Sequence, residues 1–172
     1  MLDLGCAYGL FLRLLDDRGL ETHGIDISEH TISEARKYTR TKLIVADIEE
    51  GIPYPDDYFQ LVSAFDLIEY VHSPYDLLCE LYRVIESGGL LALITQNTGS
   101  VMRLLQGSRW HGFTDPTHIH LFGRTSPRLL LEAVGYQVHL MITPFHPLPL
   151  PLSNLFGWMG FGGQIFTIAV KL

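Results

Sequence analysis

The chain has 172 residues, a formal net charge of −7, and 47% hydrophobic against 18% charged residues. That balance suits one folded domain with a substantial core, and excludes a disordered chain or two ordinary domains. The acidic charge, with no run of clustered lysine and arginine, excludes a general nucleic-acid binder.

Cys6 and Cys79 have no metal-type spacing and lie in apolar contexts, so both are expected as reduced core thiols. No leader segment is recognisable, and no charge-free apolar run reaches membrane-spanning length. A cytoplasmic protein without a transmembrane segment is the expectation.

Helix and strand signals then alternate. Leu2 to Leu4 read as the end of a buried strand, Gly5-Cys6-Ala7-Tyr8-Gly9 as a tight turn, and Leu10 onward as a helix stopped near Arg18-Gly19. Glu21 to Asp26 is a second strand ending on a carboxylate. Ser28 caps a helix through Tyr38, with Ile32 and Ala35 on its apolar side. Lys42 to Asp47 is a third strand, again ending in Asp. A loop from Glu49 to Asp57 leads to a fourth strand, Tyr58 to Ala64.

Pro74 starts a helix to Ile85, with Leu77, Leu78, Leu81 and Val84 at helical spacing. Ser87-Gly88-Gly89 turns into a fifth strand, Leu90 to Thr95. A helix from Ser126 to Ala133 precedes Gly135 and a strand from Tyr136 to Thr143. The last strand is Gln164 to Lys171.

The pattern predicts an α/β fold: a doubly wound, Rossmann-like, seven-stranded and mostly parallel sheet. Its last two strands lack an intervening amphipathic helix, because the proline-rich run from Pro144 to Pro151 cannot form one. They are expected as an antiparallel pair at the sheet edge, with an antiparallel final strand.

Ligands of such sheets bind beyond the carboxyl ends of the strands. There Gly5 to Gly9 allow close backbone approach, and Asp3 adds an acceptor. Asp26 lies about twenty residues past the glycine turn, the distance at which a carboxylate takes ribose hydroxyls. Asp47-Ile48 suits an exocyclic amine and an apolar ring face. Each Asp alone is more simply a cap or turn former; the conjunction of three strand-end carboxylates with a glycine turn carries the ligand reading.

These segments resemble the class I S-adenosylmethionine-dependent methyltransferases over almost the whole chain. Leu2 to Gly9 looks like the family's first motif, Gly24-Ile-Asp-Ile-Ser28 its second and Ala46-Asp47-Ile48 its third. The segment Phe65 to Pro74 resembles that of small-molecule methyltransferases, including the ubiquinone-type O-methyltransferases, and Leu81 to Leu91 matches the helix and turn before the fifth strand.

The resemblance implies a transferase that uses S-adenosyl-L-methionine as cofactor for methylation of a small-molecule acceptor, most readily at oxygen. It places Gly5, Cys6, Ala7 and Gly9 at the methionine part, Asp26 and Ile27 at the ribose, Asp47 at the adenine amine and Ile48 at the ring. Phe65, Asp66 and Leu67 would line the sulfonium region. Ala7 replaces the usual middle glycine, and Glu69-Tyr70 replaces a Glu-His pair. The resemblance also implies a single domain over residues 1–172 without the family's usual N-terminal extension. That predicts an open site, covered by another chain or by the segment 147–163, or else weakened turnover.

An oxygen acceptor that arrives protonated needs a base. His118, His120 and His111, in the segment Trp110 to Phe122, are the candidates for that catalytic role, with His72 next. The segment resembles an Asp-Pro-Thr-His stretch seen in many small methyltransferases. For any one histidine a structural hydrogen bond is the simpler role. His118 and His120 alternate, so in an extended segment only one faces the site. A metal is not expected, because His118-x-His120 finds no further ligand at helpful spacing.

The segment 147–163 is almost uncharged and rich in Leu, Phe and Trp. It suits packing on its own sheet, a greasy acceptor pocket, membrane-surface contact or a dimer interface. A non-catalytic S-adenosylmethionine-binding domain and an NAD-dependent oxidoreductase remain alternatives. Asp47-Ile48 and the missing third glycine of GxGxxG stand against the latter.

Overall fold

The computed structural model describes residues 1–144, 157 and 160–172. Seven strands form one sheet in the order β3-β2-β1-β4-β5-β7-β6. They are β1 (Leu2–Leu4), β2 (His23–Asp26), β3 (Lys42–Val45), β4 (Phe59–Phe65), β5 (Ile85–Gln96), β6 (Tyr136–Ile142) and β7 (Gln164–Lys171). β1 to β5 are parallel to their sheet neighbours among one another, and β7 runs antiparallel to both β5 and β6. The antiparallel final pair is therefore present, but β7 is inserted beside β5 and β6 takes the edge.

β1 lies at the centre, flanked by β2 and β4, and its three residues are all buried. Both faces of this strand are covered, and Asp3 between the two leucines is buried with its hydrogen bond from Ser63 on the neighbouring β4. The chain reverses its direction of strand addition between β1 and β4, which makes the carboxyl ends of these strands the natural ligand crevice.

The helices are α1 (Leu10–Asp16), α2 (Glu29–Ala35), α3 (Pro74–Val84), α4 (Val101–Gln106), α5 (His111–Thr114) and α6 (Ser126–Val134), of which α2, α3 and α6 pack on the sheet. Ser28 caps α2 by accepting from the Thr31 N–H, and Ser73 caps α3 ahead of Pro74. Leu77, Leu78, Leu81 and Val84 of α3 are buried on the sheet. α6 ends on Gly135 at φ 116°, a left-handed stop.

Two expectations change. α2 ends at Ala35 rather than Tyr38. The Ser87 to Gly89 turn is instead a register shift inside one long strand, where Phe59 faces Ile85 but Leu61 faces Leu90. Gly88 at φ 80° lets the backbone bulge there without leaving the sheet. α4 and α5 leave no signal in the sequence, because they are too short to show an apolar period.

At the far end of β5, buried Asn97 donates through Nδ2 to the carbonyls of Gly160 (2.9 Å) and Gly162 (2.8 Å). These bonds hold the start of β7 against the ligand edge of the sheet. Most of the segment 147–163, with its expected pocket, membrane or dimer role, lies outside the described residues.

Candidate functional site

The turn after β1 is held by backbone bonds. The N–H groups of Gly5 and Cys6 both donate to the Ile25 carbonyl, at 2.9 and 3.1 Å. Gly5, Ala7 and Gly9 have φ values of 67°, 45° and 67°, so the turn passes three times through the left-handed region. Ala7 adopts it with a side chain. The Asp26 carboxylate compensates, its Oδ2 accepting from the Ala7 N–H at 2.8 Å. The other oxygen, Oδ1, takes the Ser28 N–H (2.9 Å) and the Thr31 hydroxyl (3.2 Å). One strand-end aspartate thus closes the glycine turn and the start of α2 together.

A cavity of about 210 Å³ opens beside this turn, and Gly5, Asp26, Ile27, Asp47, Ile48 and Leu67 all lie on its wall. Ile25, Ala46, Glu49, Tyr70 and Val71 complete it. Asp47 Oδ1 is held by the Glu49 N–H at 2.9 Å. A Cβ built on Gly5 would stand 3.1 Å from Leu67 Cδ1, so backbone and side chain meet closely at the floor. Asp26 and Asp47 offer spare lone pairs among the aliphatic groups of this wall, while the third carboxylate, Glu49, is taken by His72. Such a lining fits a nucleoside, with acceptors for ribose hydroxyls and an amine and aliphatic faces for a ring.

Other expected cofactor residues stand elsewhere. Asp3 is buried behind the turn, its Oδ1 accepting from the Ser63 hydroxyl at 2.6 Å. Burial pushes its pKa up to about 6, against the opposing Ser63 bond and with the Asp26 charge adding. Cys6 turns into a small core with Leu12 and Ile32. Its thiol is pushed up to about 12, by burial first and then by Asp3 and Asp26. Gly9 is the N-cap of α1. Phe65 packs on Phe11 at a 5.3 Å ring separation, and Asp66, at φ 46°, accepts from Gln164 Nε2 at 3.1 and 3.2 Å. Asp3, Cys6, Gly9, Phe65 and Asp66 therefore shape or flank the site from behind, because their side chains or backbone are engaged there.

The four candidate histidines separate cleanly. His72 is exposed and clamps the loop after β3: Glu49 accepts from its N–H at 2.6 Å and meets Nδ1 at 2.8 Å. That carboxylate raises the His72 pKa. His120 Nε2 lies 3.1 Å from the His72 carbonyl. His118 alone is sequestered, its side chain 1% exposed. Its Nε2 stands 3.0 Å from the Tyr70 hydroxyl and its Nδ1 3.4 Å from the Gly112 carbonyl. His111 flanks it edge to face, ring centroids 5.6 Å apart.

His118 and His120 reach different partners, the Tyr70 hydroxyl and the His72 carbonyl, but the segment is not a strand. The carbonyl of buried Glu69 accepts from both the Ile119 and His120 N–H groups, at 2.9 and 3.1 Å. Those bonds lay the histidine segment along the loop after β4. Tyr70 stands where the resemblance expects a histidine, and it lies on the cavity wall and touches His118.

A family model described as a methyltransferase domain matches residues 1–140. The malonyl-[acyl-carrier protein] O-methyltransferase of Enterobacter lignolyticus is 31% identical over 122 residues, which are 71% of this chain and 48% of that protein. The protein of the same name from Marinomonas is 31% identical over 164 residues, 92% of this chain and 57% of that protein. The chain thus spans about half the length of the curated relatives it matches. A solved S-adenosylmethionine-dependent methyltransferase from Archaeoglobus fulgidus superposes with a TM-score of 0.77 at 21% identity, covering 99% of this chain and 85% of that one.

The ubiquinone-type subgroup is not singled out by these relatives, and the family match displaces the nicotinamide alternative. The cofactor such a domain uses is S-adenosylmethionine. The chain belongs to the class I S-adenosylmethionine-dependent methyltransferases.

Proposed function

We propose that this chain transfers a methyl group from S-adenosylmethionine to an oxygen of a small-molecule or carrier-borne acceptor, a carboxylate being the best match to its relatives' names. The observation that carries the reading is the convergence of Gly5, Asp26 and Asp47, from three separate strand ends, on one cavity wall. Asp26 would take the ribose hydroxyls, Asp47 the adenine amine, and Ile48 with Leu67 the ring. The turn from Gly5 to Gly9 would hold the methionine part.

The bound sulfonium supplies an already activated methyl group, so the protein's task is alignment and exclusion of water. Tyr70 stands where that task is set, between the cofactor cavity and His118. A carboxylate acceptor is ionised at neutral pH and needs no base. For such an acceptor the Tyr70 and His118 pair orients the oxygen.

Calorimetric titration with S-adenosylhomocysteine, followed by labelled methyl transfer to malonyl thioesters and a panel of carboxylic and hydroxylic metabolites, tests this. Binding with turnover on a carboxylate supports it. A folded sample that binds no S-adenosylhomocysteine overturns it, and binding without transfer to any oxygen acceptor favours a non-catalytic role.

A further inference from the structure

We infer that His111, Asp115 and His118 form a site for a divalent transition-metal ion of the zinc or cobalt class, on the acceptor side of the cofactor cavity. One donor atom from each lies within 4.8 Å of the others, and His118 Nε2 is 3.9 Å from Asp115 Oδ2. Around a bound ion, with ligand bonds near 2.1 Å, donor atoms stand about 3 to 3.5 Å apart. The site closes on a metal by a shift of about an ångström.

Local structure prepares each ligand. The single turn of α5 puts His111 and Asp115 on one side, the Asp115 N–H donating to the His111 carbonyl at 3.1 Å. Asp115 Oδ1 is taken by the backbone and hydroxyl of Thr117, which leaves Oδ2 facing His118. The Gly112 carbonyl at Nδ1 of His118 favours the tautomer with the proton on that nitrogen, which leaves the single Nε2 lone pair on the side of the Tyr70 hydroxyl at 3.0 Å and the Gln96 amide at 3.5 Å, contacts that a bound ion replaces. A carbonyl behind a histidine is the usual outer support of a metal ligand.

Two further carboxyl groups, Asp66 and buried Glu69, lie beside the cluster, and burial favours their neutral forms. Among the described residues no lysine or arginine pairs with Asp66, Glu69 or Asp115, and Glu69 Oε1 finds no hydrogen-bond partner. Two imidazoles and a carboxylate with open positions suit zinc, cobalt or nickel more than magnesium or calcium. The set differs from the His118 and His120 pair that sequence spacing brings to mind, because His120 is turned to His72. An ion here would hold an acceptor oxygen beside Tyr70 as a Lewis acid, a role that rests on the methyltransferase reading.

The test uses the full chain after chelation and dialysis. Cobalt(II) is titrated by visible absorption and zinc(II) by calorimetry, with S-adenosylhomocysteine titrated into the same samples. One equivalent of cobalt is expected, with the intense bands of a four- or five-coordinate site. His111→Ala and Asp115→Asn, at positions outside the core, should each weaken binding at least tenfold. His120→Ala and His139→Ala should leave it unchanged. No stoichiometric binding, or binding untouched by the first pair or equally weakened by the second, overturns the site. Retained S-adenosylhomocysteine binding without metal overturns only the metal, whereas metal binding without S-adenosylhomocysteine overturns the cofactor reading and spares the site.

Discussion

The Tyr70 hydroxyl lies 3.0 Å from His118 Nε2 across 48 residues of sequence, and this bond joins the cofactor cavity to the histidine segment. Tyr70→Phe keeps the ring that packs on His118 at 5.0 Å and removes only the hydroxyl. One hydrogen bond of this kind is worth about 0.5–1.5 kcal/mol, so kcat/KM for the acceptor should fall roughly 2- to 13-fold. S-adenosylhomocysteine affinity should stay within about twofold. Steady-state kinetics beside calorimetry decides it, and a loss confined to cofactor affinity would place Tyr70 on the wrong side of the reaction.

Asp26 is the most exposed to test, because one carboxylate closes the glycine turn and faces the cavity. Asp26→Ala removes the acceptor for the Ala7 N–H and the acceptor proposed for ribose together. Bonds to charged groups contribute about 1.5–3 kcal/mol, so S-adenosylhomocysteine should bind roughly 10- to 150-fold more weakly. Calorimetry reads the affinity, and circular dichroism checks that the fold persists. Unchanged affinity in a folded variant removes Asp26 from the cofactor site.

What could be read from the chain was what local chemistry writes into it. β1, the glycine turn, Asp26 and Asp47 stand within short segments whose apolar runs and strand-end carboxylates announce them. The helix α3 shows in Leu77, Leu78, Leu81 and Val84 because its buried face repeats at helical period. The place of Tyr70 could not be read so, since it depends on Glu69 capturing two backbone N–H groups fifty residues away in sequence. For the same reason His118 could not be told from His72, His111 or His120: each is a histidine in a stretch of mixed polarity with no apolar period until the chain folds. Gly88 and Gly89 misled in a different way, because a bulge within β5 and a turn before it demand the same residue type.

Gly24 on β2 shows how tightly the turn is backed. A Cβ there would stand 2.6 Å from Leu12 Cδ1, 2.8 Å from Cys6 Sγ and 2.8 Å from Leu43 Cδ2. α1, the turn and β3 all converge on the missing side chain. Gly24→Ala forces three packed groups aside, and overpacking of this kind costs about 1–3 kcal/mol. For a chain of this length the melting temperature should drop by roughly 3–10 °C. Thermal denaturation followed by circular dichroism measures it, and a wild-type melting point would mean that the helix layer yields freely.

Asp3 makes the fold itself sensitive to pH. Burial raises its pKa from 3.8 to about 6, so the folded state holds this proton more tightly than the unfolded chain does. Between about pH 4 and pH 6 the folded state therefore carries more protons, and this contribution to stability falls as pH rises through that window. It is complete below the window and gone above it, the reverse of an ion-paired carboxylate. Asp3→Asn retains an oxygen for the Ser63 hydroxyl and cannot titrate. Urea unfolding of both proteins at pH 4 and pH 7 should show the wild type losing on the order of 2–3 kcal/mol relative to the variant between the two pH values. The other carboxylates titrate in both proteins and cancel in that difference. A difference that stays flat with pH would mean that Asp3 remains ionised in its buried position, with Ser63 and the turn supplying more stabilisation to the charge than their one hydrogen bond suggests.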